Sequence, residues 1–505
     1  MKLSTERLLF WSTVAVAGAS IWIAQRPPMS DLAQHAGQIA TWHDLLLGTS
    51  KWAPFLYINY FTPYLVGYSG ALLLSFAMPI AVAFKVMLSA AFVGLVAVCV
   101  LLRKRFGGDD RLDWLFIPGF FGYAYVWGFY TFLVAVPLGV LFIYWAHCYA
   151  TRPTIGMGIL LALAEVTLFF AHGFVFLFVN AIAVSFLAPK YRNVGRLVMN
   201  ATPYLVAAIV CGLYILIRLP NEQTSSANGL ELDWDWDITR LKFLLYPFGA
   251  FKAAMVFAPI SLLMLAAPFV LGDRLNLRAP LALVPLAFIL LAWIFVPSAN
   301  LTTAHIYQRM AIFLLPFYAF AFCSPVARQG GASLSRGRAL LAHCWLPTLC
   351  WAFLAIHVER QIAFAAESRE FDSVMAEAKP GYRALGMIFD PTSAATGNLV
   401  AYAHFALWYQ AEKDGFVDFN IAGYIPMVVR YRPGTEPPVR VGSGWLAKDF
   451  QWDRDKAEIY RYFFVRHTKP LRDDYFPSGK CRPELIKAVG SWSLYENSNC
   501  YSPPA

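Results

Sequence analysis

Residues 81–105 read AVAFKVMLSAAFVGLVAVCVLLRKR, a long apolar run that ends in the basic cluster Arg103-Lys104-Arg105. A helix needs about 20 apolar residues to cross the hydrocarbon core of a bilayer. Basic residues next to such a run collect on the cytoplasmic side of the membrane. This stretch therefore predicts a membrane span whose C-terminal end lies in the cytoplasm.

The whole chain of 505 residues shares this apolar character. It is 58% hydrophobic and only 14% charged, with a mean hydropathy of +0.51, whereas soluble domains carry about 25% charged residues. The net charge of +10 does not indicate nucleic-acid binding, because the basic residues lie in short loops between apolar runs. The positive-inside rule accounts for most of them.

Ten further apolar runs bring the predicted number of spans to about eleven. They are 8–24, 114–127, 129–147, 155–170, 173–188, 198–217, 253–272, 279–296, 310–325 and 339–357. The run at 8–24 follows two basic residues and is predicted to be an uncleaved anchor.

Loop charge sets the orientation of these spans. One set of loops holds Arg103, Lys104, Arg105, Arg111, Arg152, Lys190, Arg192, Arg196, Arg274, Arg278, Arg328, Arg336 and Arg338. The opposite set holds only Arg26, Lys51, Arg240, Lys242, Lys252 and Arg309. The first set is therefore predicted to be cytoplasmic, with the N-terminus inside and the C-terminus outside.

Two stretches fall outside the regular spans. Residues 55–80 are apolar but interrupted by proline and glycine, and a full span there would move the basic cluster at 103–105 to the outside. We therefore expect outer-face juxtamembrane or re-entrant helices at about 30–80. From residue 358 onward the composition resembles that of a soluble domain.

The C-terminal region is predicted to alternate between helices and strands. Helices are expected at 361–378 and 401–412, and strands at Tyr382–Phe389, Tyr460–Val465 and Leu485–Tyr495. The predicted fold class is an α-helical polytopic membrane domain, 1–357, followed by a soluble α/β domain, 358–505.

Cysteine placement adds one prediction for that domain. Cys481 and Cys500 are the only cysteines in the polar C-terminal region, and the other six lie in or beside apolar runs. In an oxidising compartment this pair is expected to form a disulfide, which would contribute about 3 kcal/mol of stability.

The first outer loop carries the main candidate for catalysis. Residues 30–47 predict an amphipathic helix, on which Asp31, His35, Gln38 and Trp42 form a stripe beside an apolar one. Asp31 and His35 then share a face, which suits a catalytic carboxylate with a histidine neighbour and a tryptophan for stacking a sugar ring. The alternative is that Asp31 only complements the positive end of the helix, with Ser30 as its cap.

Three residues at the outer ends of spans are candidates for binding a phosphate. Lys85 lies inside an apolar run, where a charge usually marks a functional site or snorkels to the interface. Tyr307 and Arg309 precede a late span, and an arginine there suits bidentate phosphate binding. The alternative for Arg309 is an interfacial anchor.

Two further sets could bind a sugar or an acceptor. Glu165 and His172 lie seven residues apart on one helical face, either as a buried polar pair or as part of a site. In Asp233-Trp234-Asp235-Trp236-Asp237, an extended chain would put the carboxylates on one face and the indoles on the other. Carboxylates beside indoles suit a sugar, although a solvated loop with interfacial tryptophans explains the same pattern. A divalent metal site is the weaker alternative, because no His or Cys accompanies the acids.

Several of these candidate residues together resemble the pattern of a known superfamily. The pattern of Asp31-Leu32-Ala33-Gln34-His35 after the first span, Lys85 opening the second, and Tyr307-Gln308-Arg309 before a late one resembles the GT-C membrane glycosyltransferases. It is most similar to bacterial members of the protein mannosyltransferase and aminoarabinose transferase group. Two further stretches are similar, from Gly122-Tyr123 to Gly128-Phe129 and from Gly490 to Tyr495.

The resemblance implies a sugar donor carried on a polyprenyl phosphate and used on the periplasmic face of a bacterial inner membrane. It implies that Asp31 is the catalytic base and that Lys85 and Arg309 hold the lipid phosphate. The acceptor would be a lipid, a glycan or a protein. One departure is that His35, and not a second adjacent acid, follows Asp31, so the resemblance leaves metal dependence open.

Two other function classes compete with a transferase. A transporter or lipid flippase predicts internal repeats and polar residues at mid-membrane, whereas here the charges gather at the outer ends and no repeat is seen. A non-catalytic membrane scaffold with an outer binding domain fits the same composition. Motifs for nucleotide-driven pumping and for soluble hydrolases are missing from the sequence.

Overall fold

The computed structural model describes residues 5–189, 193–222, 230–301, 303–324, 336–424, 426–441, 445–472 and 475–502. These residues form two compact units. The first contains the described residues of 1–22, 88–223 and 229–359, and the second those of 23–87 and 360–505. The expected boundary at 357 lies close to this division. However, residues 30–80 group with the C-terminal region, whereas the sequence analysis assigned them to the membrane domain.

In chain order, the helices are α1 (Thr5–Ser20), α2 (Leu32–Leu47), α3 (Leu65–Ser75), α4 (Ile80–Phe106), α5 (Tyr123–Trp127), α6 (Tyr130–Thr151), α7 (Ile155–Ala171), α8 (Gly173–Ser185), α9 (Val194–Ala201), α10 (Leu205–Glu222), α11 (Phe251–Val256), α12 (Ala258–Leu265), α13 (Ala267–Val270), α14 (Val284–Phe295), α15 (Ile306–Arg309), α16 (Leu314–Phe320), α17 (Arg336–Glu367), α18 (Arg369–Glu377) and α19 (Trp408–Glu412). The strands are β1 (Leu56–Ile58), β2 (Leu230–Asp233), β3 (Arg274–Leu275), β4 (Ala299–Leu301), β5 (Phe322–Cys323), β6 (Arg383–Ile388), β7 (Phe416–Asp418), β8 (Val429–Tyr431), β9 (Tyr462–Arg466), β10 (Glu484–Val489) and β11 (Trp492–Glu496).

Long apolar helices identify an integral membrane protein. Within the described residues, four helical segments are long and apolar enough to cross a bilayer: Ile80–Phe106, Tyr130–Thr151, Val194–Ile217 and His343–Glu377. Shorter apolar helices include Ile155–Ala171, Gly173–Ser185 and Pro280–Phe295. The count of eleven spans remains a prediction. The end of the span at 325 and three of the loop residues, Lys190, Arg192 and Arg328, lie outside the described residues.

Several predicted spans are not continuous helices. The run at 114–127 consists of 3₁₀ turns at Asp110–Phe116 and Pro118–Phe121 followed by α5. The run at 253–272 is divided into α11, α12 and α13. Proline removes a backbone donor and clashes with the preceding turn, and Pro118, Pro259 and Pro268 each lie at such a break.

Part of the basic cluster at 103–105 has a structural role in the first unit. Arg103 is buried and donates two hydrogen bonds to the Asp113 carboxylate, at 2.9 and 2.8 Å. Arg7 of α1 donates to the same carboxylate at 2.6 Å. A buried carboxylate needs such partners to offset its desolvation. The cluster therefore fastens α1 to the end of α4, besides fitting the positive-inside rule.

The second unit contains a five-stranded sheet in the order β10-β11-β9-β6-β7. Strand β6 is parallel to β7 and β9, and β11 is antiparallel to β9 and β10. Apolar side chains cover both faces, as a buried parallel sheet requires. Phe371 of α18 packs on Trp492, with ring centroids 4.8 Å apart, and Leu385 and Phe463 face the opposite core.

The predicted strands at 382–389 and 460–465 agree with β6 and β9. The stretch at 485–495, expected to be a single strand, is a hairpin, β10 and β11, that turns at Gly490 with a positive φ of 55°. Glycine tolerates this conformation without steric cost. The helix expected at 401–412 begins only at the 3₁₀ turn Phe405–Leu407, and α17 runs through the predicted boundary at 357. Cys481 and Cys500 are joined by a disulfide, with Cα atoms 5.2 Å apart.

Long-range pairing explains why residues 23–87 belong to this unit. Strand β1 pairs antiparallel with β8. Arg26 is 1% exposed and forms ion pairs with Asp372 and with Glu412, the latter at 2.6 Å. Its guanidinium also lies 5.5 Å from the ring centroid of Trp408. Such contacts between distant parts of the chain leave no local signature in the sequence.

Candidate functional site

The first three turns of helix α2 are enclosed by protein. All of its residues from Leu32 to Trp42 are buried, although the sequence predicted an amphipathic helix with an exposed polar stripe. His35, Gln38 and Trp42 of that stripe are between 4 and 7% exposed. These three members of the stripe therefore face protein and not solvent, and Trp42 is packed in the interior.

Two glutamines of α2 bind backbone groups of the C-terminal region. Gln38 accepts a hydrogen bond from Val429 N–H at 2.9 Å and donates to Val429 O at 3.1 Å. Gln34 accepts from Ile421 N–H at 3.0 Å and donates to Phe419 O at 3.0 Å. An amide side chain offers the same donor and acceptor pair as a peptide group. These glutamines therefore satisfy buried backbone that would otherwise lack partners.

Asp31 stands at the start of α2, where it is the N-cap residue without a side-chain cap hydrogen bond. Ser30, the expected cap, does not hold that position. The Asp31 side chain is 25% exposed, and its Oδ1 lies 3.4 Å from Nε2 of His404. Asp31 is therefore more exposed to solvent than the other three residues of the predicted stripe.

His404 is a site residue that sequence reasoning missed. Its Nδ1 lies 2.9 Å from the Gln34 side-chain nitrogen, and its ring stacks on Phe419 with centroids 5.9 Å apart. Burial lowers the pKa of His404 to about 4, so the ring is neutral at neutral pH. Residues 31 and 404 are far apart in the sequence, and only the folded chain brings them together, so no sequence spacing could have predicted the contact.

His35 has a different partner from the one that the stripe suggested. Its Nδ1 forms a hydrogen bond with the Tyr68 hydroxyl of α3, and that hydroxyl lies 3.7 Å from Met427 Sδ. These contacts tie α2 to α3. They favour a structural role for His35 over a catalytic one.

Lys85 lies in the second turn of α4, in the same unit as Asp31, and is 7% exposed. Tyr307 and Arg309 belong to the other unit, on α15. The predicted site residues are therefore divided between the two units.

In the first unit, two predicted segments meet. Strands β2 and β4 pair, and the Gln308 side-chain nitrogen then donates to Ser298 Oγ at 2.6 Å and to Asp235 Oδ2 at 3.3 Å. We call residues 233–240, 298–301 and 303–309 the outer-loop cluster, after the side of the membrane that loop charge predicts for them. Its members come from the acidic-tryptophan motif and from the Tyr307-Gln308-Arg309 motif, which lie about 70 residues apart in the sequence.

The three carboxylates of 233–237 do not share one face of an extended chain. Asp235 has a positive φ of 45°, which ends the extended conformation, and its N–H donates to Asp233 Oδ1 at 3.0 Å. Asp237 caps the following 3₁₀ turn through Thr239 N–H at 2.6 Å. Asx-type turns of this kind are a common alternative to a strand for aspartate. The carboxylates therefore shape the loop.

Arg240 has contacts that the sequence did not predict; there it counted only toward the charge of its loop. It is buried and donates to the carbonyl oxygens of Trp234 at 2.6 Å and Val296 at 2.8 Å, and to that of Trp293. Its guanidinium carbon also lies 4.3 Å from the ring centroid of Tyr307. One arginine thus binds three carbonyl oxygens from two backbone segments and places Tyr307.

Arg309 packs against Phe129, the last residue of the Gly122–Phe129 stretch that carried part of the resemblance. It donates to His305 O at 3.0 Å and to Ala304 O at 2.5 Å, and its guanidinium carbon lies 4.1 Å from the Phe129 ring centroid. The His305 ring lies 4.3 Å from that of Trp127, and burial together with Arg309 lowers the pKa of His305 to about 4. An arginine so held is a fixed cation in an aromatic setting.

Glu165 and His172 each have a local partner. Glu165 is fully buried and accepts a hydrogen bond from Ala207 N–H at 3.0 Å. His172 accepts from Phe174 N–H at 3.2 Å and is the N-cap of α8. These contacts favour the structural alternative for both residues.

Comparison with known proteins connects this geometry to a fold. The chain matches a crystal structure of ArnT from Cupriavidus metallidurans bound to undecaprenyl phosphate, with a TM-score of 0.56 over 99% of both chains at 10% identity. The match shows that this chain shares the fold of ArnT, an aminoarabinose transferase, which confirms the GT-C-like fold expected from the resemblance. No family model and no curated protein matches the sequence.

Proposed function

We propose that this protein transfers a sugar from a polyprenyl-phosphate-linked donor to an acceptor hydroxyl on the periplasmic face of a bacterial inner membrane. The fold match over 99% of both chains carries the proposal, because the matched structure binds undecaprenyl phosphate. The position of Asp31 supports it, since a carboxylate follows the first apolar helix and is the solvent-reaching member of its stripe.

In the proposed reaction, an acceptor oxygen attacks the anomeric carbon of the donor sugar. A new glycosidic bond forms there while the bond to the phosphate oxygen breaks, and the polyprenyl phosphate departs with the bonding electrons. Asp31 takes the proton of the acceptor hydroxyl, as a general base. Lys85, Arg309 and Tyr307 hold the departing phosphate and stabilise its growing charge.

The geometry of Arg309 suits this role. A guanidinium has five N–H donors in a planar fork, so it can bind backbone carbonyls and a phosphate oxygen together. Its anchoring by Ala304 and His305 reduces the ordering cost of binding. Asp233 and Asp235 of the outer-loop cluster are proposed to bind sugar hydroxyls, with Trp236 nearby for stacking.

The test is transfer of a labelled sugar from synthetic polyprenyl-phosphate donors by the purified protein. We expect Asp31→Asn to lower turnover by about 10²–10⁴-fold while donor binding changes little. Lys85→Ala should weaken donor binding as well as turnover. The matched control is Asp44→Asn in the last turn of the same helix, which should behave like the wild type.

The competing functions make different predictions in the same assay. Full activity of Asp31→Asn would remove Asp31 from the mechanism. Donor translocation in vesicles without transfer would favour the flippase. Binding of a protein partner, with neither transfer nor translocation, would favour the scaffold.

A further inference from the structure

We propose that His404 is the positioning residue of Asp31, so that the C-terminal α/β region supplies part of the catalytic apparatus. The inference rests on the proposed function, in which Asp31 is the base. The supporting observation is the chain of contacts from Gln34 through His404 to Asp31, at 2.9 and 3.4 Å.

The orientation of the Gln34 amide is fixed by two backbone groups. Its oxygen accepts from Ile421 N–H at 3.0 Å, so its nitrogen is the atom that faces Phe419 O and His404 Nδ1. A flipped amide would place its nitrogen against the Ile421 N–H group and its oxygen against the Phe419 carbonyl. Backbone groups therefore determine that Gln34 donates to His404.

This donation determines which nitrogen of His404 carries the proton. A neutral imidazole has one N–H donor and one acceptor nitrogen. Because Nδ1 accepts from Gln34, the proton lies on Nε2, the nitrogen that faces Asp31. The ring then offers its N–H to the carboxylate, which orients Asp31 for proton transfer from the acceptor hydroxyl.

The ring is held in place and kept neutral. Phe419 stacks on it, and this bulky residue has a positive φ of 68°, an uncommon conformation that aligns its carbonyl with Gln34. Among the described residues, the titratable neighbours of this site include Asp31 and Tyr424; burial and the Asp31 charge raise the pKa of Tyr424. A neutral donor orients Asp31 without neutralising it, as a cation would tend to do.

The first test needs no substrate. Full-length protein with ¹⁵N-labelled histidine would be studied by NMR in lipid nanodiscs, with the His404 signals assigned by their loss in His404→Gln. We expect the Nε2–H tautomer from pH 6 to pH 8. The Nδ1–H tautomer, or an imidazolium at pH 6.5, would overturn the inference.

The second test uses a matched pair of amide variants in the transfer assay. Glutamine can place an N–H near the position of Nε2, whereas asparagine reaches only the position of Nδ1. We expect His404→Asn to lower kcat about 10–100-fold, with the donor KM unchanged. The acid limb of its pH profile should move to higher pH, because the pKa of Asp31 rises when a donor is lost. His404→Gln should stay within about threefold of the wild type.

Thermal midpoints of both variants show whether they fold. Equal loss of activity in both, or a normal pH profile in His404→Asn, would assign His404 a merely structural role. These results are separate from those for the proposed function. An inactive Asp31→Asn beside a fully active His404→Asn contradicts only the positioning inference, whereas a fully active Asp31→Asn contradicts the assignment of the base.

Discussion

Helix α2 and the outer-loop cluster both carry proposed site residues, yet they satisfy their surroundings with different chemistry. Around α2, the neutral amides of Gln34 and Gln38 bind backbone groups of residues 419–429. In the outer-loop cluster, Arg240 and Arg309 bind backbone carbonyls instead. Both arrangements meet the requirement that buried backbone be paired. Only the second arrangement uses cationic side chains, one of which, Arg309, is proposed to bind the lipid phosphate.

The largest expected effect concerns the anchor of the segment that holds α2. Arg26→Met would leave Asp372 and Glu412 without their buried cation, which typically costs about 3–5 kcal/mol. Denaturant midpoints in detergent would measure the loss. Lys487→Met, which removes an exposed partner of Glu377, is the control and should leave the midpoint unchanged. An unaffected Arg26→Met would show that the amides hold α2 without this anchor.

Next in size is the disulfide, which belongs to the unit of α2 but not to that of the outer-loop cluster. Cys481→Ser with Cys500→Ser should cost about 3 kcal/mol, through the entropy gained by the unfolded chain. Amide hydrogen exchange should be faster in β9–β11 and unchanged at residues 298–309. Exposed Cys344→Ser serves as the control. Equal loosening at both places would mean that the two regions unfold together.

A smaller effect is expected within the outer-loop cluster. Arg240→Met leaves carbonyl oxygens without donors and should cost about 1–3 kcal/mol. Donor binding should also weaken, because Tyr307 loses the cation on which it stacks. The control is Lys242→Met on the same turn, whose side chain is exposed. Unchanged donor binding by a folded Arg240→Met would show that this cluster does not contribute to binding the lipid phosphate.

The smallest expected effect is common to both regions. His404 and His305 each have a pKa of about 4 in the fold, against about 6.5 when unfolded. The unfolded state therefore binds more protons between those values, and stability falls as pH drops below about 6.5. Each histidine should cost about 1 kcal/mol at pH 5.5 relative to pH 7.5.

Single variants separate the two contributions to acid lability. His404→Gln and His305→Asn should each remove part of the pH dependence of the unfolding midpoint; asparagine is chosen because it tolerates the positive φ of residue 305. A pH dependence that survives both changes would point to other groups.

The same contrast explains what could be predicted from sequence. Hydrophobicity identified the spans at 81–102 and 129–147, the strands at 382–389 and 460–465, and α2 itself, because periodicity is local. It did not show that the polar stripe of α2 is buried, since the groups that cover it lie nearly 400 residues later. His404 was missed for the same reason. Arg240 was missed because two of the carbonyls that it binds, those of Trp293 and Val296, lie 53 and 56 residues later.

Long-range pairing in the second unit has a consequence for how the protein is made. The partner of Arg26, Glu412, follows it by 386 residues. At about 5–20 residues per second, the ribosome needs roughly 20–80 s to deliver it. During that time the glutamines of α2 and the edge of β1 lack the groups they will bind. We expect chaperones of the destination compartment to shield this segment. We also expect a truncated chain that ends before residue 412 to be degraded and not to accumulate in the membrane.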